Sequence, residues 1–76
     1  MATASDVGSR VDVVGYGMGT LRYFGPHKVK RSPRCGVELD DAVGNNNGTV
    51  GEHEYFDCAD QHGVLVIPGK VSGGMS

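Results

Sequence analysis

Glycine punctuates this chain so densely that no segment of about ten residues keeps a helical period. Thirteen of the 76 residues are glycine, more than double the ordinary share of about 7%. A glycine in a helix interior costs roughly 1 kcal/mol against alanine, whereas tight turns accept it freely. Between the glycines lie short segments rich in β-branched and aromatic residues, with a turn signal every roughly 8–12 residues. This pattern predicts an all-β fold with little or no helix, in the form of a small, partly open SH3-like barrel.

Strands are predicted over residues 10–14, 20–24, 36–39, 53–58 and 63–67, with a brief extended segment at 49–50 and an edge piece at 70–71. Turns are predicted at 15–19, 51–52, 59–62 and 68–69. Residues 26–33 form a loop bounded by prolines and too polar for a core, and 40–48 form a second loop. The apolar, β-branched run 63–67 should be the most buried strand. The expected core is Val11, Val13, Leu21, Tyr23 or Phe24, Val37, Leu39, Val50, Phe56, Val64, Val66 and Val71. Residues 1–6 and 72–76 are small and polar and are expected to be disordered, which leaves one domain over 7–71. A chain of this length buries a modest core. It shows no signal peptide and no apolar run near the ~20 residues of a membrane span.

Net charge is −2, too near neutral for a nucleic-acid binder. The charges are segregated, however. Residues 13–37 hold Arg22, Lys28, Lys30, Arg31 and Arg34 and no acid, while residues 38–60 hold seven acids and no Lys or Arg. In a small barrel such segments can pair across strands. Alternatively, the loop carrying Lys28, Lys30, Arg31 and Arg34 projects as a basic rim for an acidic partner, the reading favoured by four cations packed around a proline.

The stretch Val-Gly-Asn-Asn-Asn-Gly-Thr-Val-Gly-Glu-His-Glu-Tyr-Phe-Asp-Cys, residues 43–58, is the most informative in the chain. Gly44 and Gly48 frame Asn45, Asn46 and Asn47. Asparagine and glycine tolerate positive φ, and asparagine side chains bond nearby backbone. The loop is therefore polar and exposed, and its amides both donate and accept, as gripping a peptide backbone or a terminal carboxylate requires. It lacks the Lys and Ser/Thr placement of a nucleotide phosphate loop. By strand alternation one ring of Tyr55–Phe56 faces the core and the other faces out, with Phe56 either core or the floor of a groove.

This stretch resembles the signature of the CAP-Gly family of microtubule-associated domains, Gly-Lys-Asn-Asp-Gly-Ser/Thr. Val7-Gly8-Ser9-Arg10-Val11, Gly19-Thr20-Leu21-Arg22-Tyr23-Phe24-Gly25, Cys35-Gly36-Val37-Glu38-Leu39-Asp40, Tyr55-Phe56-Asp57-Cys58 and His62-Gly63-Val64-Leu65-Val66 resemble the family's other segments in order. The resemblance implies a cytoplasmic peptide-binding module on the microtubule cytoskeleton. Its partners would be acidic C-terminal tails ending Glu-Glu-Tyr or Glu-Glu-Phe, as on α-tubulin, end-binding proteins and cytoplasmic linker proteins. A free carboxylate is a strong bidentate acceptor that mid-chain segments lack, so it can mark a chain end. The implied contacts are Asn45, Asn46, Asn47 and Gly48 on the carboxylate, Lys28, Lys30, Arg31 and Arg34 on the acidic side chains, and Val29 and Phe56 on apolar groups.

The chain also departs from that family. Asn45 stands where the family has Lys, and Asn47 where it has Asp. Losing the Lys removes a charge-assisted bond worth ~1.5–3 kcal/mol against about 1 for a neutral one, so affinity for the usual motif should fall about tenfold. Arg34 falls where an exposed aromatic is usual and Val29 where a Phe is usual. Arg34 can stack on a ring and pair with an acid. The expected groove depends more on Coulomb attraction and less on apolar burial, and should be more sensitive to salt.

Two alternatives remain open: a domain of a tubulin-folding cofactor, and a degenerate relative with altered or lost peptide binding. Catalysis is not expected. Cys58 and His62 lie four apart across a turn, but no orienting group or oxyanion loop accompanies them. Cys35, Cys58, His27, His53 and His62 show no CxxC or HxxxH spacing, so neither metal nor cofactor is expected. One disulfide is possible on cysteine count, but the resemblance implies a reducing compartment and free thiols.

Overall fold

The computed structural model describes residues 3–73. Its strands are β1 (Arg10–Val13), β2 (Gly17–Pro26), β3 (Pro33–Leu39), β4 (Thr49–Val50), β5 (His53–Glu54), β6 (Gly63–Val66) and β7 (Val71–Gly73). Five form an antiparallel sheet in the order β6-β3-β2-β1-β7, and β4 and β5 form a separate hairpin. Regular helix is confined to two 3-10 turns, Ala4–Asp6 and Pro68–Lys70. The fold is therefore all-β, with β6 and β7 as the unjoined edges of the larger sheet.

Alternation builds the core. Along β1 the odd positions Val11 and Val13 are buried and the even ones exposed. They meet Leu21 of β2, Cys35, Val37 and Leu39 of β3, Val64 of β6 and Val71 of β7 in one cluster. Each such aliphatic side chain contributes roughly 1.5–3 kcal/mol when fully removed from water. The hairpin β2–β3 is interrupted once: Leu21 opposes Val37 and Tyr23 opposes Gly36, so Arg22 is the extra residue of a bulge. Arg22 Nε then donates to Glu38 Oε1 at 2.9 Å.

Several boundaries differ from the sequence reading. β2 runs over ten residues rather than 20–24, because Gly17 pairs with Val13 and Pro26 with Pro33. Backbone pairing recruits glycines that side-chain propensity excludes. β3 begins at Pro33 rather than 36, which brings Cys35 into the core. Of the predicted strand 53–58 only His53–Glu54 is paired as a strand. The following backbone turns to the asparagine loop instead: Tyr55 N and Phe56 N donate to Gly48 O, and Cys58 N to Asn47 O.

The segment 63–67 is not the most buried strand. As an edge, β6 buries only Gly63 and Val64. β3, flanked by β2 and β6, buries four of its seven residues. Val50, Val66, Phe56 and both Tyr23 and Phe24 are half-buried, and Tyr55 takes the core place expected of Phe56. Phe56 instead packs against β3, where a Cβ at Gly36 would approach its Cε1 to 2.6 Å. A strand glycine here marks a ring packed onto the backbone.

The amino-terminal arm forms a hydrogen-bonded 3-10 turn where described. Thr3 N donates to Asp6 Oδ2 at 2.8 Å, and Gly8 N donates to Leu21 O at 2.7 Å. Ser72 and Gly73, expected in a disordered tail, pair with Asp12 and Val11. The expectations for residues 1, 2 and 74–76 lie outside the described residues.

Candidate functional site

Two loops face each other across the outer side of β6. The first, residues 27–32, closes the β2–β3 hairpin above the Pro26–Pro33 pair. Its backbone is tied by His27: His27 N donates to Ser32 O at 2.8 Å, and His27 O accepts from Arg31 N at 2.9 Å. The imidazole Nδ1 accepts from Val29 N at 3.1 Å and Lys30 N at 3.0 Å. Nδ1 is therefore the unprotonated ring nitrogen, capping two amides as an Asp side chain does in a turn. Burial, followed by the nearby charges of Arg34 and Lys30 and then His53, holds the His27 pKa below its ordinary value.

The second loop, residues 44–48, is stitched to β6. Asn45 N and Asn46 N both donate to Gly63 O, and Gly63 N donates back to Asn46 O at 2.8 Å. Asn46 Oδ1 accepts from Gly48 N at 2.8 Å, and its Nδ2 donates to Asn45 Oδ1. Asn47 Oδ1 accepts from Thr49 N at 3.2 Å. Asn46 and Asn47 thus cap their own backbone through their side-chain oxygens. Among the described residues the NH₂ groups of Asn45 and Asn47 have no acceptor, and of these two residues only Asn45 lines the groove. Gly48 is buried with φ +100°, and a Cβ there would collide with the Phe56 carbonyl.

Tyr55 joins the two loops. Its N–H donates to Gly48 O at 2.8 Å, and its hydroxyl accepts from Lys28 N at 2.9 Å. Its ring meets Tyr23 edge-on at 5.1 Å, and Lys28 Nζ sits 5.7 Å from the ring centroid. The basic loop is therefore anchored on a ring that is itself anchored on the signature glycine.

The groove between the loops holds about 420 Å³. Its apolar lining is Val50, Leu65, Val66 and Ile67; its neutral polar lining is His27, Asn45 and Asn46; its cations are Lys30, Arg34 and Lys70. No carboxylate among the described residues lines it. Among the described residues the ion pairs are Arg10–Asp40 and Arg22–Glu38, so cross-strand pairing consumes Arg22 but none of the four loop cations. A second, smaller cavity beside Thr20, Arg22, Glu38 and Asp40 differs in this respect, because its charges are matched within the fold.

Of the residues singled out from sequence, Lys30, Arg34, Asn45 and Asn46 meet in the groove. Lys28, Val29 and Arg31 are exposed on the loop beside it, Val29 with 67% of its surface open. Asn47, Gly48 and Phe56 lie outside the lining. Sequence reading missed His27, Lys70, Val50, Leu65, Val66 and Ile67 as lining, and Tyr55 as the link. Placing Val64 and Val66 inward already implied that Leu65 and Ile67 face out. Nothing local signalled Lys70, which reaches the groove through the 3-10 turn after β6.

Outside the groove, His62 and Cys58 each bond a backbone carbonyl. His62 Nδ1 lies 2.8 Å from Leu39 O, and Cys58 Sγ donates to Ala59 O. Burial, then the carboxylates of Glu38, Asp57 and Asp60, pushes the Cys58 thiol up, away from a reactive thiolate. Cys35 and Cys58 are both free thiols. Among the described residues no three His, Cys, Asp or Glu side chains converge as metal ligands.

Comparison with known proteins adds the family. The profile of the CAP-Gly domain matches residues 7–71. Dynactin subunit 1 of Gallus gallus is 46% identical over 66 residues, covering 86% of this chain but 5% of that protein. The Restin homolog of Drosophila melanogaster is 46% identical over 69 residues, covering 87% of this chain and 4% of that protein. The solution structure of the CAP-Gly domain in human Kinesin-like protein KIF13B superposes with a TM-score of 0.83 at 34% identity, covering 100% of this chain and 82% of that one. The Bik1 CAP-Gly domain, solved with an ETF peptide from Bim1, gives 0.78 at 28% identity, covering 87% and 81%.

Proposed function

The chain belongs to the CAP-Gly domain family, and on that premise we propose that it is a non-enzymatic peptide-binding module for acidic, aromatic-ended C-terminal tails of tubulin or of microtubule plus-end proteins. One observation carries the reading: a groove lined by three cations and, among the described residues, no carboxylate, with an apolar floor from β6. Lys30, Arg34 and Lys70 attract the acidic side chains, and among the described residues none of the three is in an ion pair. The free NH₂ of Asn45 donates to the terminal carboxylate. Leu65, Ile67 and the exposed Val29 take the terminal side chain. The solved relative carrying a peptide from another protein supports the same type of partner. The names of the relatives support a cytoskeletal, microtubule-associated setting in the cytoplasm.

Fluorescence anisotropy with a peptide ending Glu-Glu-Tyr, and with its C-terminal amide, tests the reading. Tighter binding of the free acid is expected. Equal binding of both peptides rules out capture of the terminal carboxylate. A second reading, altered or lost recognition, is favoured by the absence of Phe, Tyr or Trp from the lining. Failure to co-sediment with stabilised microtubules even at low salt would select it.

A further inference from the structure

Ser32 is the one hydroxyl within the basic loop, in the run Lys30-Arg31-Ser32-Pro33-Arg34. It is exposed, as are Lys30, Arg31 and Pro33. Its Oγ accepts from Arg34 Nη1 at 2.8 Å, and Arg34 also donates to Pro33 O at 2.9 Å. Arg34 is at the same time one of the three cations of the groove. A single serine oxygen therefore touches the guanidinium on which the charge of the site depends.

We propose that Ser32 is a phosphorylation site for a proline-directed protein kinase, and that the phosphate turns the groove off by capturing Arg34. The inference rests on the peptide-binding reading above. The residue after the serine carries no N–H, so it leaves no donor unpaired in a kinase cleft that offers no acceptor there. Basic residues on both sides suit a kinase with an acidic substrate surface. The loop is held by few backbone bonds, chiefly His27 N to Ser32 O and Arg31 N to His27 O, so local opening can present the serine.

In the reaction the Ser32 hydroxyl oxygen attacks the γ-phosphorus of ATP. The Oγ–P bond forms, the bond from γ-phosphorus to the β–γ bridging oxygen breaks, ADP leaves, and the hydroxyl proton passes to the kinase's catalytic carboxylate. The product carries about −1.5 to −2 charges at neutral pH, which halves the net charge of a loop holding four cations. A guanidinium already hydrogen-bonded to Oγ pairs with the phosphate oxygens in a two-pronged fork. Arg34 is then neutralised at the rim, and a nearby dianion repels the incoming carboxylates.

The test treats the domain with Mg-ATP and a cyclin-dependent kinase, maps the phosphate by tandem mass spectrometry, and titrates both forms with the Glu-Glu-Tyr peptide. Phosphate is expected on Ser32 and not on the Ser32→Ala variant. The phosphorylated domain should bind at least about tenfold more weakly, with phosphatase restoring affinity. Ser32→Ala should bind within about twofold of the unmodified domain. No phosphate at Ser32, or phosphate there with unchanged affinity, overturns the inference and leaves the peptide-binding reading standing. An unmodified domain that ignores the peptide overturns both.

Discussion

The asparagine loop and the basic loop border one groove but are built on opposite principles. In residues 44–48 the polar groups are spent inward: Gly48, Asn46 and Asn47 bond to their own backbone, to β6 or to the segment after β5. In residues 27–34 the backbone is held by two backbone bonds within the loop, one imidazole and one tyrosine hydroxyl, while Lys30 and Arg34 pair with no acid among the described residues. The first loop supplies shape, and the second supplies field. A motif rich in amides thus contributes chiefly as scaffold, and the ligand chemistry passes to residues outside it.

The contrast breaks most sharply at Gly48. Gly48→Ala should cost about 3–5 kcal/mol in urea unfolding, because the Cβ meets the Phe56 carbonyl at a positive φ. A loss below about 1 kcal/mol would show the loop to be adaptable rather than a fixed scaffold. Asn46→Ala should cost about 1–3 kcal/mol by orphaning the buried Gly48 N–H, with peptide affinity falling only as far as the fold loosens. Lys30→Glu should do the reverse. Stability should hold within about 0.5 kcal/mol, while affinity for an acidic peptide falls at least about tenfold at low salt. Equal affinity would remove the field from the account.

Asn45→Lys sharpens the same comparison from the other side. Its side chain is exposed and carries the free amide donor, so a charge there should tighten peptide binding by up to about tenfold without altering stability. No change would mean that position 45 does not face the ligand.

The smallest effect is expected from pH. The His27 pKa lies below its ordinary 6.5 in the folded chain, so the fold prefers the neutral ring. Its contribution is present above about pH 6.5, the unfolded value, and is lost as pH falls through the lower folded value. Protonated Nδ1 cannot accept from Val29 and Lys30. Their amide NMR shifts should therefore move together with a midpoint below 6.5. His27→Asn, which keeps an acceptor without titrating, should abolish that movement.

Legibility from sequence followed the range of the forces involved. The all-β class was readable because glycine density and β-branched runs act over a few residues. The basic loop was readable because charge segregation is a property of order along the chain. Strand ends were harder. Gly17 and Pro33 enter strands because partners across the sheet supply the pairing, which propensity does not register. Tyr55 and Phe56 offered two rings and one core place, and alternation alone did not assign them. The turn of residues 55–58 toward Gly48 and Asn47 assigned Tyr55 inward.

The sequence by itself determined that this would be a small all-β domain of a recognisable family, with four cations in one loop and a glycine-framed amide run in another. Only the tertiary structure decided that Asn46 faces its own backbone while Asn45 keeps a free donor. It also placed Lys70 and Ile67 in the groove, and made Tyr55 hold both loops. Local order sets which groups a segment carries. Which of them remain unpaired depends on the backbone atoms that folding brings opposite, and these are supplied by residues distant in the chain.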